Sequence, residues 1–222
     1  MTPPPPLVLF DLDGTLTRRD TQPGFLLGFL ARHPQRLGRC LGASRAALAF
    51  FLGRLPRGEM KERATAACLG GVGRPLLEAW GEQFAARTLQ NGLRPRTLRA
   101  LREHQRRGET TVLSSASLEL YVRPIARLLG FDHCHATPCA WTADNALASH
   151  LGGPPLYGGE KLAALAPLWH EGEGAGRRLI VYTDHHGDIP LLEKAARAVL
   201  VHPTPALRRW ARAASMEIDI WD

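Results

Sequence analysis

The sequence predicts an α/β protein: a Rossmann-like parallel sheet flanked by helices and interrupted by an inserted small helical cap. Three observations lead to this class. Short apolar runs end abruptly in polar or glycine-bearing clusters at residues 7–10, 110–113, 179–182, 199–201 and 217–220, which reads as buried strands. Helical spacing fills the intervals at 96–107, 118–129, 160–170, 189–197 and 205–213, and strands that alternate with helices build a parallel sheet covered on both faces. Residues 17–91 break that alternation, with helical patterns at 25–32, 36–55, 59–69 and 75–89 and no strand between them.

The first run, Leu7-Val8-Leu9-Phe10, is wholly apolar and stops at the polar DLDGT that follows, as a buried strand running into a loop would. The inserted helices then occupy 18–91, hinged at the polar Thr17-Arg18-Arg19-Asp20 and Gln90-Asn91-Gly92, so a core domain of 1–17 with 92–222 carries a cap domain of 18–91. Beyond the second strand and its helix, residues 131–159 are rich in Gly, Pro and His and read as a long loop or a small hairpin excursion. Strand and helix alternate again from there to the end.

Composition excludes several classes. The 222 residues are 45% hydrophobic and 22% charged, the usage of a folded soluble body and not of a disordered chain. The net charge is +7, yet the arginines are scattered, no five-residue basic block occurs and no aromatic-plus-basic motif accompanies them, so no nucleic-acid partner is expected. Only Lys61, Lys161 and Lys194 among the 28 basic residues are lysines. Met1-Thr2 runs straight into Pro3–Pro6 without a basic region or an apolar export helix, and the apolar stretch 46–52 is too short to cross a bilayer, so a cytoplasmic protein without a transmembrane segment is expected. Cys40, Cys68, Cys134 and Cys139 show no C-x-x-C spacing and read as reduced thiols.

The polar clusters at the strand ends carry the chemistry, because open parallel sheets place their sites at the carboxyl ends of their strands. Asp11 and Asp13 stand two apart, which in extended backbone turns both carboxylates to one side. Such a pair repels unless a cation intervenes, and an oxygen-only site suits Mg²⁺. Gly14 permits an unusual turn and Thr15 offers a hydroxyl and an amide. Ser114-Ser115-Ala116-Ser117 offers hydroxyls and amides at the start of a helix, which suits an anion. Lys161 opens a later helix, and Asp184 and Asp188 bracket the end of the third run. Neighbouring His185-His186 cannot readily chelate one ion. His133-Cys134-His135 with Cys139 has the residue types of a zinc site but reads as a loop or edge strand with incidental side chains.

DLDGTLT, TTVLSSAS, GGEK and YTDHHGDIPLLEKA, in this order across the whole chain, resemble the four signature motifs of the haloacid dehalogenase superfamily. The helical insertion after the first motif is similar to the cap of the phosphoserine-phosphatase-like branch, subclass IB. The resemblance implies a Mg²⁺-dependent phosphatase acting on a phosphate monoester through an aspartyl-phosphate. Asp11 would be the nucleophile, Asp13 the general acid and then base. Gly14, Thr15, Ser115, Ala116 and Lys161 would bind the phosphate. Asp11, Asp13 and Asp184 would hold the metal, with Asp188 supporting them. His185 and Gly187 depart from the small or amide residues common in the last motif, which touches the hydrogen bonding around Asp184.

Asp20 falls where amino-acid phosphatases of the branch carry an acid for the substrate ammonium, and equally where a helix N-cap belongs. A phosphoserine-like or other small phosphometabolite is therefore the expected substrate. The apolar cap leaves open a lipid phosphate of the phosphatidylglycerophosphate type, with peripheral membrane contact through the cap. A non-catalytic phosphate-binding regulator is the remaining alternative, and the intact set of Asp11, Asp13, Lys161 and Asp184 argues against it. The oligomeric state is not legible.

Overall fold

A computed structural model describes residues 4–39, 44, 48, 52–54, 56–170 and 177–222. Six strands form one sheet in the order β3-β2-β1-β6-β7-β8, every pair parallel: β1 (Leu7–Phe10), β2 (Thr110–Leu118), β3 (His133–Thr137), β6 (Leu179–Thr183), β7 (Arg197–Val201) and β8 (Glu217–Trp221). Two short strands, β4 (Cys139–Trp141) and β5 (Leu147–Leu151), make a separate antiparallel hairpin. Counting only the large sheet, the order is that of a doubly wound Rossmann sheet, and it reverses direction between β1 and β6.

The period-two alternation of strands sorts the core into two layers. Leu7, Leu9, Val112, Val181 and Leu200 face one side with Leu165 and Leu207 of α6 (Gly159–His170) and α8 (Pro205–Ala213). Val8, Phe10, Leu113, Tyr182 and Val199 face the other with Leu101 and Ile125 of α4 (Pro95–Arg106) and α5 (Glu119–Leu129). The four residues of β1 are fully buried, as a central strand covered on both faces must be.

Between Thr17 and Leu93, which pair in an antiparallel bridge, lie α1 (Thr21–Arg32), α2 (Arg57–Leu69) and α3 (Arg74–Asn91). Phe25 and Phe84 pack on Tyr121 of α5 with ring centroids 4.5 and 5.2 Å away. α3 runs so close to α5 that a Cβ on Gly81 would lie 2.0 Å from the Leu120 carbonyl oxygen. The β4–β5 hairpin clasps the same helices: Gly71 N–H donates to Leu147 O, Leu147 N–H to Val72 O, Arg74 N–H to Asn145 O, and Leu151 N–H to the Glu62 carboxylate.

Several expected elements differ. The helix expected at 189–197 is only a turn, α7 (Ile189–Leu192), because Arg197 already opens β7, paired with Ile180 and Glu217. The stretch 131–159, expected as a long loop or a small hairpin excursion, does hold the hairpin and in addition β3, whose half-buried His133-Cys134-His135 lacks the apolar run of an interior strand because it lies at the sheet edge. Residues 34–39 form a tight helical turn, and most of the helix expected at 36–55 lies outside the described residues. No described helix is long and apolar enough to cross a membrane.

Candidate active site

β1, β2 and β6 end side by side, and the residues just beyond them converge. Asp11 N–H donates to Tyr182 O, which fixes the first residue after β1 against β6. A wide helical turn, Leu12–Leu16, follows, with Thr17 N–H closing on Leu12 O at 2.9 Å. Gly14 supplies its reversal at φ +83°, a left-handed conformation costly to residues with a Cβ. A Cβ there would also lie 2.2 Å from Asp184 Oδ2, so Gly14 is where backbone and carboxylate meet. Arg94 braces the turn through a 2.9 Å bond to Gly14 O.

Lys161 reaches this point from α6. It shares the buried face with Leu165, four residues on, and the helix carries its ammonium under the sheet end with 3% of the residue exposed. Its Nζ donates to Asp11 Oδ1 at 2.7 Å and to Asp188 Oδ2 at 2.9 Å. Thr183 Oγ1 donates to the same Asp188 oxygen at 2.7 Å, and Thr15 Oγ1 to Asp11 Oδ2 at 3.3 Å. Asp188 thus holds the lysine and makes no side-chain cap for α7. Asp13 turns the other way: Oδ1 accepts from Thr21 N (2.8 Å) and Thr21 Oγ1 (2.6 Å), and Oδ2 from Ser117 Oγ (2.6 Å).

Asp11, Asp13, Ala116, Lys161, Asp184 and Asp188 line one cavity of about 50 Å³. Lys61, Tyr157 and His185 complete its wall, and sequence reasoning passed over the first two. Lys61 had a signal, being one of three lysines in an arginine-rich chain. It comes from α2 and pairs with Asp20 at 3.1 Å, with Asp13 Oδ2 3.9 Å away. Asp20 is also the N-cap of α1, accepting from Gln22 N at 3.0 Å. Ser115 is not at a helix start: β2 continues to Leu118, and Ser115 Oγ accepts from Ser117 N at 3.1 Å.

The electrostatics are those of a site with a surplus of carboxylates. Burial, with repulsion from Asp188 and Asp13, raises Asp11 from 3.8 to about 6 in spite of Lys161. Burial, with repulsion from Asp11 and Asp188, raises Asp184 to about 7. Burial alone would discharge Lys161, but the two aspartates more than offset it and hold the ammonium charged. One buried cation therefore serves the buried Asp11 and Asp188 and the half-buried Asp184 without bringing Asp11 down. That surplus, on hard oxygen donors only, fits a divalent cation of the Mg²⁺ type.

The other candidate ligands do not converge. His133, Cys134 and His135 lie along β3 and Cys139 on β4, and these four form no three-ligand group suited to a metal. Burial pushes the Cys134 thiol up to about 11 and the Cys139 thiol to about 12, which keeps both protonated and poor as ligands. His185 Nδ1 accepts from Gly187 N at 3.0 Å, so it folds back on its own loop.

The sheet and this carboxylate–lysine cluster at its switch point define a class, and comparison with known proteins agrees. The model of the haloacid dehalogenase-like hydrolases matches residues 8–193. Protein CicA of Caulobacter vibrioides is 31% identical over 189 residues, 85% of this chain and 82% of that protein. Phosphoserine phosphatase SerB1 of Mycobacterium tuberculosis is 28% identical over 213 residues, 94% of this chain and 68% of that one. A protein of unknown function from Bordetella pertussis Tohama I superposes with a TM-score of 0.77 at 25% identity, covering 97% of this chain and 98% of that one. The chain belongs to the haloacid dehalogenase-like hydrolases.

Proposed function

We propose that the protein is a phosphatase that cleaves phosphate monoesters through an aspartyl-phosphate on Asp11. The observation that carries the reading is Asp11 itself: a carboxylate at the end of the central strand, at the switch point of the sheet, held by Lys161 at 2.7 Å. An oxygen of Asp11 forms a bond to phosphorus while the ester P–O bond breaks, and Asp13 gives its proton to the leaving oxygen. Asp13 then takes a proton from water, the water oxygen attacks phosphorus, and Asp11 leaves as a carboxylate with inorganic phosphate released. Phosphoryl transfer rests on positioning and on neutralising the equatorial oxygens. Lys161, Ser115 and the chain at Gly14, Thr15 and Ala116 would supply this.

Asp11, the Asp13 main-chain carbonyl and Asp184 would hold Mg²⁺, which when bound neutralises the carboxylate surplus and charge on the phosphoryl group. Asp188 would keep Lys161 aimed. Residues 18–91 act as the cap domain over a core of 1–17 and 92–222. In the cap, Asp20 and Lys61 present opposite charges 3.1 Å apart, a pairing suited to the ammonium and carboxylate of a phosphoserine-like substrate.

One observation favours a second reading, an amphipathic phosphate ester. A groove of about 360 Å³ opens beside Asp20 and Lys61, lined by Pro23, Leu26, Leu27, Leu30, Met60 and Ala64. Purified protein with Mg²⁺, screened against phosphorylated amino acids, other small phosphate esters and lipid phosphates, tests both. Phosphate release that is lost in Asp11→Asn supports the proposal. Release from no ester, or undiminished release by Asp11→Asn, refutes it.

A further inference from the structure

We propose that Ser117 and Thr21 are positioning residues for Asp13, gripping its carboxyl from the core and from the cap at once; the inference rests on the phosphatase reading above. The core jaw comes from an irregularity in β2. Ser115 pairs with Ala136 and Leu118 with Thr137, so Ala116 and Ser117 have no register partners in the ladder to β3, although the Thr137 hydroxyl donates to Ala116 O at 2.9 Å. Such a bulge re-aims a side chain that a regular strand would commit to one face. Here it turns the Ser117 hydroxyl, in a fully buried residue, onto Asp13 Oδ2 at 2.6 Å.

The cap jaw is the first residue of α1. Asp20 caps that helix, which sets Thr21 with its N–H and hydroxyl both on Asp13 Oδ1, at 2.8 and 2.6 Å. The Tyr121 hydroxyl, 3.3 Å from Thr21 Oγ1, backs the threonine from the core side. Three donors on two oxygens fix the carboxyl's rotation as well as its direction. Neither oxygen could be re-aimed without breaking a bond to one of the two domains.

Aim matters because a general acid acts only within hydrogen-bond reach of the leaving oxygen. A displacement of about 1 Å in such a group can cost about a hundredfold in rate. When Asp11 attacks phosphorus and the ester P–O bond breaks, an alkoxide must receive the Asp13 proton as it departs. An aryloxide leaves without that help. Misaiming Asp13 therefore penalises alkyl esters selectively, whereas damage to the fold, to Asp11 or to phosphate binding slows both ester classes alike.

Rapid-quench measurement of phosphoenzyme formation, with Mg²⁺ and saturating phosphoserine or p-nitrophenyl phosphate, separates these cases. In Ser117→Ala and in Thr21→Val we expect the ratio of the alkyl to the aryl rate to fall by about tenfold to a hundredfold. Thr21→Ser, which keeps the hydroxyl, should restore the ratio. Both threonine variants keep the N–H, and thermal melts show whether each protein remains folded. An unchanged ratio, whether both rates fall together or neither moves, overturns the positioning role. A parent protein that forms phosphoenzyme from the aryl ester alone also overturns it, since an aimed acid must serve an alkoxide. If the parent forms none from either ester, the phosphatase reading itself fails and the inference falls with it.

Discussion

Metal-free protein should lose stability as the pH rises from 5 to 8, and Mg²⁺ should restore what is lost. The reasoning starts from Asp11 and Asp184, raised from 3.8 to about 6 and about 7 by burial and by repulsion from neighbouring carboxylates. In the unfolded chain both carboxyls ionise near pH 4, whereas in the folded site they keep their protons up to about pH 6 and about pH 7. Through that window the folded state binds more protons than the unfolded one, so stability falls with rising pH. At about 1.4 kcal/mol for each tenfold separation, the two would remove about 4 kcal/mol between pH 5 and 8 if they add, and about half if their repulsion is one shared effect. For a chain of this length that lowers Tm by roughly 5–15 °C. Thermal melts of chelator-treated protein, with and without excess Mg²⁺, measure it. Asp184→Asn, which cannot ionise at that position, should flatten the slope. The reasoning is refuted if the parent and Asp184→Asn show the same pH dependence, or if Mg²⁺ raises Tm as much at pH 5 as at pH 8.

Three further outcomes are expected. Lys161→Met leaves Asp11 and Asp188 buried without their cation, so urea denaturation at pH 8 should show a loss of about 3–5 kcal/mol, with partial recovery at pH 5 as the carboxylates take up protons. Gly14→Ala puts a Cβ 2.2 Å from Asp184 Oδ2 at φ +83°, and calorimetric titration should show Mg²⁺ affinity reduced by about tenfold or more with the fold retained. On adding beryllium fluoride and Mg²⁺, hydrogen exchange should slow in α2, which carries Lys61, and stay unchanged in α3. Equal protection of both helices would contradict a cap seated through α3.

What the sequence made legible was whatever is local. β1, β2, β6 and β7 announce themselves as apolar runs because an interior strand of a parallel sheet is buried on both faces and tolerates little else, whereas β8, at one edge, alternates Glu217 and Asp219 with Ile218 and Ile220. β3 read only as a loop or edge strand because a strand at the sheet edge carries His133, Cys134 and His135 without penalty and so lacks an apolar run. The chain at 189–197 was misread for the converse reason: Ile189, Leu191 and Leu192 have helical spacing, but Arg197 is claimed by its ladder to β6 and by Asp219 on β8, a pairing invisible in the local pattern.

The site divides along the same line. Asp11, Asp13, Asp184 and Lys161 are read from their own neighbourhoods, each at the end of a strand or the start of a helix. Asp188 and Asp20 were legible as residues but not as partners, because what they do is set by a lysine 27 and 41 positions away. Lys61 lies outside every motif, and Ser117 closes the TTVLSSAS motif without any sign there of a bond to Asp13. Ser117 matters only because two residues of β2 go unpaired beside β3, and Lys61 only because α2 lies against the mouth of the sheet. Both are consequences of tertiary register. It follows that Asp13 is where the two kinds of residue meet: it is legible from its own motif, and Thr21 and Lys61 reach it only through the fold.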